Sequence, residues 1–335
     1  MSEMDRFIVG TGRCGSTLLS QMMAQHEQTL SIFEFFTGLD ITRRFAQEPV
    51  DGAAFSALIS RENPIVTMVV RRGYEVPEIT YPFDKPGARY RRDDGLPWIL
   101  VSTLPDMTDE PDALFDETMA FAAGLPKQQV SAHYRQLFDW WARRMGRQHW
   151  IERSGSSIDY LGGLHEHFPG ARFVHIHRDG HEAALSMREH APYRLAVSLL
   201  FQLPPEGMSL DELGKLDPQG PPDPDDLVSR ILASEPPVEY FGKYWTQEVE
   251  NGARARAAMR DGQYMEVSFE ELIADPQPVL GSIAGFFELG DGGGWLDRAA
   301  ALVRGVPPAR FDTLPPDERR RLAEACRPGM ELLGR

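Results

Sequence analysis

A glycine-rich stretch near the start of the chain has the residue types and spacing of a phosphate-binding loop. Residues 10–17 read GTGRCGST, and Gly10, Gly15 and Thr17 occupy the places that the pattern G-x-x-x-x-G-K-[ST] requires. The apolar run 7–9 before the loop predicts a buried strand, and the apolar periodicity after it predicts a helix. Backbone N–H groups of such a turn, together with the positive end of the helix dipole, hold a phosphate.

The lysine of this pattern is missing, and Ser16 stands in its place. In nucleoside triphosphatases that lysine reaches the phosphates at which bonds break. Its loss argues against hydrolysis of ATP or GTP. The loop therefore predicts that a phosphate is held but not cleaved.

A second stretch of chemically capable residues is RDGHEAALS at 178–186. Arg178 follows the apolar run 172–177, which predicts a core strand, and open α/β sheets bind ligands at the carboxyl ends of their strands. Ser186 lies about two turns into the next predicted helix. An arginine and a hydroxyl so placed can bind one phosphate from two sides. The alternative is a helix capped by Asp179, with Arg178 paired to a carboxylate.

The elements that must position these groups alternate between strands and helices. Apolar strand patterns occur at 7–9, 148–152, 172–177 and 264–268, and the apolar stretch 30–36 reads as a further strand or the turn that follows it. Helical patterns between and after them include 131–147, 158–167, 238–260 and 270–287. This alternation predicts an α/β fold with a P-loop-like central parallel sheet and helices on both faces. We interpret 1–335 as a single domain in which 73–112 and 203–237 are irregular insertions or lid segments.

Composition limits the function classes. The net charge is −15 and no stretch is rich in lysine and arginine, which disfavours nucleic acid as a partner. Cys14 and Cys326 offer neither a disulfide framework nor zinc spacing. His175, His177 and His181 lack a nearby cysteine to complete a zinc set, so no metal site is expected. The N-terminus does not read as a signal peptide and no long apolar run occurs, which predicts a cytoplasmic protein without a transmembrane segment. These features indicate no particular oligomeric state.

The loop and the 178–186 segment together resemble the sulfotransferases that use 3′-phosphoadenosine-5′-phosphosulfate (PAPS). In that family a loop of the form [KR]-x-G-[ST]-[ST] after the first strand binds the 5′-phosphosulfate, and residues 13–17 match it. A strand ending in R-[DN]-x, with a serine eight residues beyond the arginine, binds the 3′-phosphate. Arg178 and Ser186 match this second element.

Two further segments extend the resemblance over about 6–40 and 148–290. SFEELIADP, beginning at Ser268, resembles the family's Y-E-D-L-x-x-D-P segment, with Phe269 in place of a tyrosine that lies near adenine. WIERSGSSIDYL, beginning at Trp150, is similar to the W-x-E-K-[ST]-P…YL segment of bacterial members, with Arg153 replacing the lysine.

One family element is missing. The R-K-G sequence that closes over the 3′-phosphate in cytosolic animal enzymes does not occur, and Arg304 or Arg310 is the candidate to substitute for it.

The resemblance implies a PAPS-dependent sulfotransferase that needs no metal. The donor-binding residues it implies are Gly12, Arg13, Cys14, Gly15, Ser16, Thr17, Leu18, Arg178, Ser186 and Phe269. Arg13 and Arg153 are then the cations beside the leaving phosphate. The acceptor would be a hydroxyl on a small or lipid-like molecule.

Glu34 is the candidate general base. It lies 21 residues after Arg13, the separation found between the loop arginine and the catalytic glutamate of tyrosylprotein sulfotransferases. Phe33, Phe35 and Phe36 are expected to give its carboxyl an apolar setting. The alternative is a surface glutamate between core aromatics.

Two other functions stay open. A nucleotide kinase would need a lysine at position 16 and a downstream aspartate for Mg²⁺. A nucleotide-binding protein without sulfuryl transfer would keep the loop and have no use for Glu34.

Overall fold

The computed structural model describes residues 4–215, 220–290 and 292–335, and its centre is a single five-stranded sheet. The strands are β1 Arg6–Val9, β2 Thr29–Phe33, β3 His149–Arg153, β4 Arg172–His177 and β5 Tyr264–Ser268. Their order is β2-β3-β1-β4-β5, and every neighbouring pair is parallel. The expected α/β fold with a central parallel sheet is confirmed.

Fourteen α-helices in the described part of the chain surround the sheet. They are α1 Ser16–Met23, α2 Gly52–Ile59, α3 Pro64–Arg71, α4 Pro111–Ala123, α5 Val130–Arg144, α6 Leu161–His167, α7 Gly180–Glu189, α8 Ala191–Leu200, α9 Leu227–Ala233, α10 Val238–Arg256, α11 Phe269–Ala274, α12 Pro276–Phe286, α13 Trp295–Ala300 and α14 Pro316–Leu332. A π-helical turn spans Ile99–Thr103, and 3₁₀ turns span Ser157–Tyr160, Leu210–Lys215 and Phe311–Thr313. None of the helices described is long and apolar enough to cross a membrane.

Successive strand residues enter hydrophobic clusters on opposite faces of the sheet. Phe7 belongs to the cluster that contains the apolar side chains of α5 and α6, whereas Ile8 belongs to the one that contains those of α1 and α12. Because side chains alternate along a strand, a sheet buried on both faces needs continuous apolar runs. The run RFIV of β1 meets that requirement.

The register brings the carboxyl ends of four strands to one edge. Ile8 of β1 lies opposite Arg153, and Arg153 lies opposite Phe33 of β2. Val9 lies opposite His175 of β4. The loop 10–15 therefore begins beside the residues that follow β2, β3 and β4, as expected for a ligand site in a parallel sheet.

Two element boundaries refine the sequence prediction. The helix expected over 270–287 is two helices, because α11 gives way at Asp275 and α12 begins with Pro276, whose ring restricts the preceding residue and lacks an N–H donor. The stretch 30–36, expected to be a strand or the turn that follows it, contains both, because β2 ends at Phe33 and Glu34 turns out of it with a left-handed φ of 55°.

The two predicted insertions contain ordered structure. Within 73–112, Trp98 and the π-helical turn are buried in the core. Within 203–237, α9 buries four apolar side chains, and Asp226 caps it by accepting a hydrogen bond from the Ser229 N–H. Residues 216–219 of this stretch lie outside the described residues. A lid role for 203–237 stays a prediction.

Replacing Phe7 by alanine tests the central packing. Its ring is fully buried, and the ring centre lies 5.0–6.4 Å from the ring centres of Phe36, Trp150, Phe168 and Phe173. We expect Phe7→Ala to lower the free energy of unfolding by about 3–5 kcal/mol, because it leaves a cavity among rigid rings. Urea denaturation measures this. The exposed Ile41→Ala is the control, and it should change stability by less than about 0.5 kcal/mol.

Candidate active site

The loop between β1 and α1 is shaped by residues with left-handed backbone conformations. Gly12, Arg13 and Gly15 have φ values of 71°, 52° and 89°. A Cβ atom added to Gly12 would overlap the Tyr193 hydroxyl, and one added to Gly15 would overlap the ring of Phe269. Gly15 caps α1 without a side-chain hydrogen bond, so the N–H groups of the first helical turn stay available to a ligand.

Glu34 and Arg153 form a buried ion pair at the ends of β2 and β3. The Arg153 Nη1 donates to Glu34 Oε1, and the two side chains are only 1% and 3% exposed. The Thr37 hydroxyl and the Gly155 N–H donate to Glu34 Oε2. The Trp98 indole N–H donates to the Glu34 carbonyl. Glu34 is therefore not a surface glutamate, and hydrogen-bond donors surround its carboxylate.

The aromatic neighbours of Glu34 do not provide the expected apolar setting. Phe35 and Phe36 pack against Tyr134 and Phe138 in the core. The Phe33 ring lies 4.1 Å from the Arg153 guanidinium. The polar partners of Glu34 dominate its surroundings, because its side chain turns toward the loop at the sheet edge.

Arg153 also connects the ion pair to the glycine-rich loop. Its Nη2 donates to Thr17 Oγ1 at 3.0 Å, at the start of α1. One guanidinium thus contacts residues that follow β1 and β2 from its own position at the end of β3. Two of the three predicted catalytic residues, Glu34 and Arg153, therefore form one connected unit with the loop, which contains the third, Arg13.

The second predicted phosphate-binding group joins the same loop. Arg13 Nε donates to Ser186 Oγ at 3.2 Å, and Arg178 Nη1 donates to the Arg13 carbonyl at 3.5 Å. The Arg178 guanidinium lies 5.1 Å from the centre of the Phe269 ring, within range of a cation–π interaction. The structure thus brings together the segments that begin at residues 10, 178 and 268.

The alternative features foreseen for Arg178 are present as well. Asp179 caps α7 by accepting hydrogen bonds from the N–H groups of His181 and Glu182. Arg178 lies 4.0 Å from a Glu182 carboxylate oxygen. Burial lowers the pKa of the Arg178 guanidinium. Capping and ligand binding are compatible, because the Arg178 side chain still lines the cleft described next.

A single cleft of about 760 Å³ collects most of the predicted site residues. Those that line it are Gly12, Arg13, Gly15, Ser16, Thr17, Leu18, Glu34, Arg153, Arg178, Ser186 and Phe269. Cys14 differs, since its side chain is fully buried in the core and burial raises the pKa of its thiol. Only the backbone of Cys14 is left to contribute to a ligand site.

Sequence reasoning missed several residues in the cleft wall. Ser156, which has a left-handed φ of 50°, contacts the Tyr193 hydroxyl at 2.7 Å and donates to the Thr11 carbonyl. Glu78 and His190 also line the cleft and form a contact of 3.0 Å. Ser156 lies inside the segment that begins at Trp150, but not at a position that the resemblance specifies. The segment of Glu78 carries no periodic pattern or motif, and His190 lies beyond 178–186, so the sequence did not point to these two residues.

One side of the cleft is apolar. It is lined by Ile65, Val66, Val76, Trp98, Pro192 and Ala196. Ile65 is 43% exposed, so the apolar surface continues to the rim. No described residue of 203–237 lines the cleft. The apolar wall comes instead from α3, α8 and the 73–112 segment.

The two arginines considered for the 3′-phosphate differ in their surroundings. Arg304 lines the cleft, in a segment that contributes residues 302–305 and Pro307 to its wall. Arg310 is bound to the carboxylates of Glu182 and Glu189. Of these two arginines, Arg304 lines the cleft and Arg310 does not.

The three histidines of H-x-H-x-x-x-H do not converge. The His175 Nδ1 is hydrogen-bonded to the Tyr264 hydroxyl, whereas the His181 ring stacks on Phe311. Within residues 4–215, 220–290 and 292–335, no group of three His, Cys, Asp or Glu side chains is arranged to hold a metal ion. A second cavity of about 440 Å³, beside Tyr264, contains none of the predicted site residues.

Glu152 is a buried carboxyl next to the Glu34–Arg153 pair. It is fully enclosed on β3 and accepts a hydrogen bond from the Ser154 hydroxyl, which itself accepts one from the Phe36 N–H. Burial, with a smaller effect from the Glu34 charge, raises the pKa of Glu152 to about 8. Glu152 is therefore neutral in the folded protein at pH 7.

This raised pKa predicts a pH-dependent stability. Between the ordinary carboxyl pKa of 4.5 and about 8, the folded state keeps a proton on Glu152 that the unfolded state has lost, so its contribution to stability falls as pH rises. In Glu152→Gln this contribution is absent. Relative to that of the wild type, the unfolding free energy of Glu152→Gln should therefore rise from pH 5 to pH 8 and stay constant above pH 8. Urea denaturation at pH 5, 7 and 9 measures it, and a constant difference would contradict the assignment.

Comparison with known proteins relates one part of this site to a family. Residues 101–198 match the model described as "Sulfotransferase family", and this segment contains Arg153, Arg178 and Ser186. Sequence comparison with curated proteins gave no match. The chain is similar to the sulfotransferase domain of the Synechococcus PCC 7002 olefin synthase, with 16% identity, coverage of 100% of this chain and 96% of that one, and a TM-score of 0.46. It is also similar to a sulfotransferase from Alicyclobacillus acidocaldarius, with 17% identity, coverage of 99% and 95%, and a TM-score of 0.39. The match identifies residues 101–198 as similar to the sulfotransferase family, and this similarity supports an enzyme.

Proposed function

We propose that the cleft transfers a sulfuryl group from PAPS to a hydroxyl of a small or lipid-like acceptor and releases adenosine 3′,5′-bisphosphate. The observation that carries this proposal is the convergence of three groups in one cleft: the glycine-rich loop, the Arg178–Ser186 segment and the Glu34–Arg153 pair. A cleft of about 760 Å³ is within the range of small-molecule and cofactor pockets.

The residues present fit the donor's phosphates and base. The uncapped first turn of α1 offers N–H groups to the 5′-phosphate, and the missing Cβ atoms of Gly12 and Gly15 allow close approach. Arg178 and Ser186 supply a guanidinium and a hydroxyl for the 3′-phosphate. Phe269 offers an aromatic face for adenine, with Arg304 on another wall of the cleft.

Two arginines would stabilise the leaving group. In an in-line transfer the bond from the acceptor oxygen to sulfur forms while the bond from sulfur to the bridging oxygen of the 5′-phosphate breaks, and the electron pair stays on that phosphate. Arg13 and Arg153 border the loop that holds the phosphate, so they can neutralise the developing charge without a metal ion.

Glu34 would take the proton of the acceptor hydroxyl. Its carboxylate lies in the cleft wall and is oriented by Arg153, Thr37 and the Gly155 N–H. Because these donors fix the carboxylate, little reorganisation is needed when the hydroxyl arrives. The apolar wall that contains Val66 and Trp98 supports an acceptor with an apolar body.

Nucleotide binding tests the donor assignment. We expect the protein to bind adenosine 3′,5′-bisphosphate in calorimetry without Mg²⁺, and Arg178→Ala to weaken binding roughly tenfold or more, because a charge-assisted contact to the 3′-phosphate is lost. Arg320→Ala, on the exposed surface of α14, is the control and should leave the affinity unchanged. Tighter binding of ATP with Mg²⁺ would support a nucleotide kinase instead.

Glu34→Gln tests the base. The amide keeps the shape of the side chain but cannot take a proton, so we expect turnover to fall roughly 10²–10⁴-fold. Affinity for adenosine 3′,5′-bisphosphate should be retained or rise, because the charge of Arg153 then lacks its carboxylate partner. Labelled PAPS, with an alcohol identified by an acceptor screen, gives the rate, and calorimetry gives the affinity. Unchanged turnover would rule out Glu34 as the base while leaving the donor assignment intact.

A further inference from the structure

Glu78 places a negative charge beside the loop arginine. Its Oε1 lies 3.6 Å from Arg13 Nη1, and both side chains line the cleft. Glu78 comes from the 73–112 segment, far in sequence from the loop. The contact therefore joins the 73–112 segment of the cleft wall to Arg13, the cation that is proposed to stabilise the leaving phosphate.

His190 anchors Glu78 from the junction of α7 and α8. The His190 Nε2 lies 3.0 Å from Glu78 Oε2, and the imidazole is 7% exposed, with Tyr193 packed edge-on against it at 5.3 Å. Burial acts to raise the pKa of Glu78, but His190 and Arg13 outweigh it, and the pKa is lowered. Glu78 is thus a carboxylate at neutral pH, and His190 holds it in place.

Arg13 is held at two of its nitrogen atoms. Glu78 pairs with Nη1, and Ser186 accepts a hydrogen bond from Nε. The Arg13 side chain is 30% exposed, more than that of Glu78, so an anion in the cleft can still reach its guanidinium. A phosphate bound there would share Arg13 with Glu78 and would be repelled by the carboxylate at short range.

We infer that Glu78, anchored by His190, is a positioning residue that orients Arg13 and competes with the product's 5′-phosphate for it, and so promotes product release. The inference rests on the proposed function. In the donor one negative charge lies on the 5′-phosphate and one on the sulfuryl group. After transfer both charges of the product lie on the 5′-phosphate itself, so a carboxylate that competes for the arginine beside this phosphate weakens product binding more than donor binding. Tight product binding would otherwise limit turnover, as product release does in many enzymes.

Glu78→Gln tests this inference, because the amide keeps the contacts with His190 and Arg13 and removes only the charge. We expect adenosine 3′,5′-bisphosphate to bind on the order of tenfold tighter, with a correspondingly slower dissociation rate in stopped-flow displacement. Steady-state kcat should fall, while the rate of a single turnover with preloaded PAPS stays close to that of the wild type. A merely structural role would weaken binding or leave it unchanged.

Glu75→Gln is the matched control. Glu75 lies three residues away on the same segment and is exposed, so this variant removes one charge without touching the cleft. It should leave the product affinity within about twofold, because an exposed charge is screened. Glu78→Ala is the second variant, checked for folding by thermal denaturation, and it should also tighten product binding.

The outcomes separate this inference from the proposed function. If the wild type does not bind adenosine 3′,5′-bisphosphate, the proposed function itself fails. If the wild type binds it, and folded Glu78→Gln and Glu78→Ala bind it no tighter than Glu75→Gln does, the donor assignment stands and the role of Glu78 is overturned.

Discussion

The buried ion pair between Glu34 and Arg153 is the interaction on which the site depends. Burying two charges costs several kcal/mol per ion, which their mutual attraction and further hydrogen bonds must offset. Here Thr37 and the Gly155 N–H donate to the carboxylate and Thr17 accepts from the guanidinium, whose Nε has no hydrogen-bond partner among the described residues. The pair consequently fixes the ends of β2 and β3 and the start of α1 relative to one another. Loss of either partner would leave an uncompensated charge at the point where the loop, the proposed base and the leaving-group cation meet.

Backbone strain is concentrated at the same edge of the sheet. Among the described residues five non-glycine residues have positive φ, and three of them, Arg13, Glu34 and Ser156, line the cleft. A left-handed residue with a side chain costs about 1–2 kcal/mol, so such conformations persist only where surrounding contacts hold them. Each of the three has such a contact: Arg13 with Ser186, Glu34 with Arg153 and Ser156 with Tyr193. These left-handed conformations direct the three polar side chains into the cleft.

The sequence predicted those parts of the site that local patterns determine. The glycine loop, the five strands and the Arg178–Ser186 spacing depend on neighbouring residues, and the structure brings these groups together with Glu34 in one cleft. Glu78 and His190 were missed because their pairing links an aperiodic segment to a helix junction 112 residues away. The break between α11 and α12 was missed although Pro276 marks it, because the apolar pattern continues across the proline. Side-chain burial, as for Cys14, depends on packing that no local pattern encodes.

Three of the cations proposed to meet a phosphate each have a carboxylate nearby. Arg153 pairs with Glu34, Arg13 with Glu78, and Arg178 approaches Glu182. In a chain of net charge −15, such pairing keeps the guanidinium groups oriented when no nucleotide is present. An anion that binds there displaces these carboxylates or shares the arginines with them. The electrostatic contribution to its binding free energy is therefore smaller than the same number of unpaired arginines would give. Selectivity must come from geometry: the left-handed loop, the missing Cβ atoms and the Phe269 face. For the same reason a site rich in arginine can release a highly charged product.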